Sequence, residues 1–307
     1  MRMFHRQGSV VAFAIAGLLA FALSAASPRP AAAAPLIHKL DQKGVKKFWT
    51  KQRMARAIPL DAPRSQLDDP GIAARHKLPK YISQPVPNPA ATPFRTAGKV
   101  YLQLDKKIYV CSASVVKAPS RSLVWTAGHC LRDPGRHGKF ASKWVFIPAF
   151  DEGNSPFGGF AAKALAVTRG WAKGNQHYDF GAAVLKKANG KSVQRTVGAA
   201  LPFGANPKYK QGWTAIGYPE EKRWGKNQWF CASKLYKRDR RIPGGGPDSI
   251  GIGCDMNGGA SGGPWLTGNG RLGAVSSYIY RKGPDALYGT YLGSAAKKLY
   301  KRVRDKG

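Results

Sequence analysis

Three short stretches of the chain carry residues able to do nucleophilic chemistry. Thr126-Ala127-Gly128-His129-Cys130 places a histidine at the end of an apolar run. His177-Tyr178-Asp179-Phe180-Gly181-Ala182 puts an acid at the start of another, and Gly258-Gly259-Ala260-Ser261-Gly262-Gly263-Pro264 holds a serine in a turn made largely of glycine. A hydroxyl is a poor nucleophile at neutral pH and needs an adjacent base. The base in turn needs a third group to fix its tautomer and stabilise its charged form. Serine, histidine and aspartate supply those roles. The glycines have their own logic: without side chains, their amides can turn inward and donate to an oxyanion.

Order along the chain separates two architectures. Gly259-Ala260-Ser261-Gly262-Gly263 also fits the G-x-S-x-G turn of α/β-hydrolases, in which the histidine follows the serine. His177 is the last histidine of the chain, so that reading fails. The order His129, Asp179, Ser261 is the chymotrypsin-like one. From about Phe94 onward the chain resembles the trypsin/chymotrypsin-like serine proteases, nearest the secreted bacterial branch that includes V8-like enzymes. T-A-G-H-C at 126–130, Y-D-F-G at 178–181, G-G-A-S-G-G-P at 258–264 and Val275-Ser276 carry the resemblance.

That resemblance implies a serine endopeptidase working through an acyl-enzyme. His129 would be general base and then acid, Asp179 its orienting carboxylate, and Ser261 the nucleophile. The backbone N–H groups of Gly259 and Ser261 would form the oxyanion hole, and Ser276 would border the site and help hold the aspartate. The implied fold is all-β: two antiparallel β-barrels of the chymotrypsin type with a C-terminal helix. Four cysteines allow three pairings; the resemblance implies Cys111 with Cys130 and Cys231 with Cys254, each closing a loop of about twenty residues worth ~3 kcal/mol. Cysteine beside histidine is also metal-ligand chemistry, but the C-x-x-C spacing is missing, and no metal or other cofactor is expected.

The elements that must position these residues read as strands. Lys99–Leu104, Ile108–Cys111, Leu123–Thr126, Trp144–Ile147, Ala182–Leu185, Trp213–Ile216 and Leu272–Ser276 are short β-type runs between turn residues. No long helical pattern lies between them to make βαβ units, so the sheet should be antiparallel. Ser294–Arg304 alone reads as a helix, capped by Ser294, with Leu299 and Val303 on one face and basic residues towards its C-terminal end. Residues 94–307 form the expected protease domain, its two barrels divided near 190–200.

Departures from the family bear on activation and specificity. Ala260 stands where pancreatic-type members have an acid that pairs with a freshly cut amino terminus, so activation of that kind is not expected. Asp255, six residues before Ser261, occupies the count at which trypsin-type enzymes place the acid for Lys or Arg; it is a candidate substrate-binding residue together with Ser276. Val275 stands where glutamate-specific members often have a histidine. His177 reads as a surface loop histidine.

The remaining residues locate the protein. Arg2 and Arg6, an uncharged apolar run Val10–Leu23 and small residues offering a cleavage site at Ala31-Ala32-Ala33-Ala34, with Ser24-Ala25-Ala26 as a second candidate, make residues 1–33 a cleavable export signal, which places the mature chain in the periplasm or outside the cell, where disulfides persist. Residues 34–93 read as a basic, Pro-rich pro-segment or linker. Among 307 residues, 43% are hydrophobic, and 8 Trp, 12 Tyr and 13 Phe exclude wholesale disorder. Lys and Arg number 50 against 16 Asp and Glu, a net charge of +34. Lys222, Arg223, Lys226, Lys234, Lys237, Arg238, Arg240 and Arg241 cluster with Trp224, Trp229 and Tyr236. No nucleic-acid motif accompanies them, so the expected partners are a protein or peptide substrate and an anionic cell-envelope surface, with no specific nucleic acid and a monomeric chain. The alternative is a protease-fold protein that binds polyanions or the cell envelope without significant catalysis.

Overall fold

A computed structural model describes residues 34–41, 43–60, 68, 82–222, 225–282 and 285–307, with Met1 and Met3. The export signal expected over 1–33, most of the stretch 61–81, and Arg223 and Trp224 of the basic cluster lie outside the described residues.

Three short strands precede the barrels: β1 (Leu36–Lys39), β2 (Ile58–Pro59) and β3 (Gln84–Pro85). Between the first two lie the single-turn helices α1 (Val45–Phe48) and α2 (Lys51–Ala55). The first barrel is built from β4 (Ala97–Leu104), β5 (Lys107–Val115), β6 (Leu123–Thr126), β7 (Ser142–Pro148), β8 (Phe160–Val167) and β9 (Gly181–Leu185). Its order is β8-β7-β4-β5-β6-β9, and pairing of β9 back to β8 closes it. The Asp105-Lys106 turn between β4 and β5 has both residues at positive φ, the conformation that matches strand twist in a two-residue hairpin.

The second barrel comprises β10 (Gly212–Gly217), β11 (Trp229–Asp239), β12 (Ser249–Gly253), β13 (Pro264–Thr267), β14 (Leu272–Tyr278) and β15 (Ala286–Tyr291). It runs β10-β13-β14-β15-β12-β11 and closes through β10 and β11. The connection between barrels carries the short helix α4 (Val193–Val197), and α3 (Arg169–Ala172) sits between β8 and β9. Among the described residues, closure leaves no long unpaired edge in either barrel. The fold is therefore the two-barrel all-β one.

Each barrel has its own interior, with Trp144, Phe146 and Phe160 in the first and Trp213, Trp265 and Ile252 in the second. A third apolar cluster joins them through Trp125, Phe180, Ile216, Leu266 and Val275. The C-terminal helix α5 (Ser294–Val303) adds Ala296, Leu299 and Val303 to that cluster, where burying a Leu or Val side chain contributes ~1.5–3 kcal/mol. Gly293, not Ser294, occupies its cap position, and the Ser294 hydroxyl turns to Asn206 Oδ1.

The described residues of the segment before the barrels pack onto them. β1 lies antiparallel on β8, β2 parallel on β5, and β3 antiparallel on β11. Val45, Trp49 and Ala57 are buried against Tyr101, Ile147, Phe150 and Tyr218, and the Trp49 indole donates to Lys143 O. Lys46, Lys47, Lys51, Arg53 and Arg56 are exposed while Val45, Trp49 and Ala57 among them are buried.

Candidate active site

The register of β6 against β9 brings the base and its acid together. Thr126 pairs with Gly181, so the chain leaving β6 runs beside the chain entering β9, and His129 meets Asp179. Asp179 Oδ1 accepts the backbone N–H of His129 at 2.8 Å, and Oδ2 lies 2.8 Å from His129 Nδ1. Both residues are buried, at 2% and 1% exposure. A carboxylate accepts only, so it favours the tautomer with the proton on Nδ1. That leaves the Nε2 lone pair as acceptor, and Nε2 is buried with no hydrogen-bond partner.

Asp179 Oδ2 also accepts the hydroxyl of Ser277 at 2.5 Å. The contact expected of Ser276 is thus made by its neighbour. Ser276 instead accepts the indole N–H of Trp265 at 2.9 Å and lines the crevice beside Ser261. The cause is an irregularity in the pairing of β14 with β15 between Ser276 and Tyr278; a bulge re-aims side chains that plain alternation would send elsewhere.

Ser261 sits against the histidine strand and its neighbours. Its carbonyl accepts the backbone N–H of Ser112 at 2.7 Å and lies 3.7 Å from Cys130 Sγ. Gly262 follows at φ +82°, where a Cβ would fall 1.9 Å from Thr126 Oγ1, so only glycine lets the serine turn approach β6 this closely. No hydrogen bond joins Ser261 Oγ to His129 Nε2. Such bonds are often loose without substrate.

Two amides of this turn are aimed away from every protein acceptor among the described residues. The Gly258 carbonyl accepts from Glu220 N at 2.8 Å, and the Ala260 carbonyl from Gly263 N at 2.9 Å. Because a peptide unit is planar and trans, the N–H groups of Gly259 and Ser261 point the opposite way. The intervening Ala260 N–H is held by Asn257 O, and the Gly259 carbonyl accepts the Ser112 hydroxyl at 2.9 Å. Gly259 itself has φ +93°, with Tyr218 O 2.5 Å from where a Cβ would stand. Fixed donors pointing at one spot can stabilise developing negative charge.

Glu220 is further anchored by Lys99 at 2.9 Å, an ion pair from β4 of the first barrel to the loop after β10 of the second. Burial holds the Lys99 ammonium below the usual lysine range, against the opposing pull of Glu220.

The crevice beside Ser261 is lined by Asn257, Ser276, Ser277, Tyr278, Ile279 and Leu287 among others, none of them charged. Asp255 is not in its wall. Its Oδ2 pairs with Lys222 Nζ at 2.7 Å and its Oδ1 accepts Ser83 N at 2.7 Å, tying the strand before the barrels to the second one. Burial pushes its carboxyl up, but the hydrogen bonds from Lys222 and Ser83 and the lysine charge outweigh that and hold it below the usual carboxylate range. Nor is His177 at the surface: it is 3% exposed, with Pro247 O and Ile242 O each 2.9 Å from a ring nitrogen.

Both disulfides are present, Cys111–Cys130 and Cys231–Cys254. Cys111, His129 and Cys130 lie close enough to suggest a metal site, but the two sulfurs are bonded to each other and offer no thiolate.

Comparison with known proteins identifies the family. A trypsin family model matches residues 90–299, and the chain belongs to the trypsin family. It is similar to a thermostable serine protease, AL20, from an extremophilic microorganism: 36% identity, TM-score 0.64, 69% of this chain and 98% of that one. It is likewise similar to protease Anisep from Arthrobacter nicotinovorans: 33% identity, TM-score 0.64, 72% of this chain and 99% of that one. A glutamyl endopeptidase of Bacillus licheniformis is 26% identical over 193 residues, 61% of this chain, and the match spans 55% of that relative's length. The two disulfides fit an extracellular protein.

Proposed function

We propose that the protein is an exported serine endopeptidase in which Ser261 is acylated, His129 moves the proton and Asp179 holds the imidazole. Ser261 Oγ attacks the scissile carbonyl carbon as its proton passes to His129 Nε2. The oxyanion that forms is received by the N–H groups of Gly259 and Ser261. Collapse breaks the C–N bond, and His129 returns the proton to the departing amine. Water then repeats the sequence on the acyl-enzyme, with His129 again as base.

One observation carries the reading: Asp179 is bonded to both the Nδ1 and the backbone N–H of His129, while Nε2 stays buried and unpartnered. An imidazole whose Nε2 is left unclaimed, together with a serine turn whose flanking amides are uncommitted, suits proton abstraction from a hydroxyl. The uncharged crevice favours neutral side chains at the residue preceding the cut over selection by a direct ion pair. Cleavage of a mixed peptide library by the parent chain and by Ser261→Ala tests both statements. Products with uncharged residues at that position are expected from the parent and none from the variant.

A further inference from the structure

Three of the eight cations of the basic cluster singled out in the sequence are held by acidic partners. Lys222 pairs with Asp255, Arg238 and Arg240 with Asp248, and Arg238 also lies over the Tyr209 ring. A different group of cations has none. Arg121, Lys187 and Arg195 wall a hollow of about 210 Å³ together with Ser120 and Ser192, and no acidic residue lines it. Among the described residues, none of the three cations has an ion-pair partner.

The hollow is framed by backbone. Leu185 N donates to Ser122 O at 2.8 Å and Gln194 N to Arg121 O at 3.1 Å, so the turn between β5 and β6, the end of β9 and the start of α4 are fastened together. Arg121 is held at φ +56°, a region that favours glycine or asparagine and is costly for a long side chain. Ser192 is 4% exposed, and its hydroxyl is buried without a hydrogen-bond partner, which folded proteins rarely leave unsatisfied. Three exposed cations thus border one hollow that is also lined by Ser192, whose hydroxyl has no partner.

We propose that this hollow binds a phosphate group. Two guanidinium forks match tetrahedral oxyanions in bidentate fashion, the lysine adds a point charge, and the Ser192 hydroxyl offers one more donor. Arg121 precedes β6 and Lys187 follows β9, whereas His129 and Asp179 lie past the other ends of the same two strands. At ~3.3 Å per residue the two sites are at least about 15 Å apart, so a bound phosphate leaves the crevice at Ser261 open. The proposal does not depend on the catalytic reading.

The test is calorimetric titration of the full chain at low ionic strength with inorganic phosphate and with glycerol 3-phosphate. One saturable site is expected, weakened at least about tenfold by Arg121→Gln with Arg195→Gln, and several-fold by the single exposed change Lys187→Gln, which cannot disturb the frame. The pair Lys106→Gln and Lys107→Gln, in the β4–β5 turn and at the start of β5, removes the same charge elsewhere and should leave affinity unchanged. Tighter binding of the ester than of the free ion would assign a phosphate borne on a larger ligand, and the reverse a free ion. No saturable binding, or equal loss in the control pair, would overturn the site.

Discussion

Ser112 holds Gly259 by its side chain and Ser261 by its backbone: its hydroxyl donates to Gly259 O at 2.9 Å and its N–H to Ser261 O at 2.7 Å. The same hydroxyl accepts Tyr218 N at 3.0 Å. One residue of β5 therefore fixes the peptide unit that follows each of the two carrying the uncommitted amides, holding Gly259 and Ser261 from their carbonyl sides.

Ser112→Ala should lower kcat about ten- to a hundredfold with KM little changed, less than the ~10²–10³ that loss of an oxyanion donor outright costs. Ser114, two residues on along the same strand, has a buried hydroxyl with no partner, so Ser114→Ala should leave kcat alone. Steady-state kinetics of both variants, with the affinity of a peptide boronate as transition-state mimic, check this. Equal losses in the two would remove Ser112 from the role.

Adjacent serines should fail differently. Ser277→Ala removes a donor to the Asp179 carboxylate, and about a tenfold fall in kcat is expected. Ser276→Ala instead strands the buried Trp265 N–H, which costs ~1–3 kcal/mol of stability and should show in the thermal midpoint. Kinetics and melting of the two variants side by side decide the assignment.

That contrast marks where the sequence was opaque. His129, Asp179 and Ser261 stood out as candidates because a histidine, one of 6 in the chain, an aspartate and a serine fell in a diagnostic order among telling neighbours. Which of two consecutive serines faces Asp179 depends on a bulge in β14, and nothing in Ser276-Ser277 signals one. β8 escaped notice because Phe-Ala-Ala-Lys-Ala-Leu-Ala-Val is alanine-rich and favours helix locally; six-strand closure overrides it. β11 hid beneath its own Lys234, Lys237 and Arg238, of which Lys234 and Arg238 are exposed and Lys237 is half-buried, along a strand whose Cys231 and Ser233 face inward. In the segment before the barrels, charge around Val45 and Trp49 masked two residues that the first barrel buries.

Acid should unmask the Lys222–Asp255 tie. The folded-state pKa of Asp255 is lowered, so below the ordinary carboxylate range the unfolded chain takes up a proton that the folded one resists. The stabilisation is complete above about pH 4 and is lost as pH falls through the depressed value. Asp255→Asn should therefore melt lower than the parent at neutral pH, and the gap should close below about pH 4. Thermal midpoints across that range check it; a constant gap would show that the pair contributes nothing through charge.

Activity should decline on the acid side for a different reason. A protonated His129 has no lone pair at Nε2 to accept the serine proton, and a pH profile of kcat/KM that stayed flat into acid would contradict its role as base.

The most direct measurement is the mass-spectrometric location of a fluorophosphonate adduct on the purified chain. The account predicts one adduct, on the peptide containing Ser261, abolished in Ser261→Ala and slowed by orders of magnitude in His129→Gln. Undiminished labelling of Ser261→Ala, or an adduct carried on another residue, would contradict it.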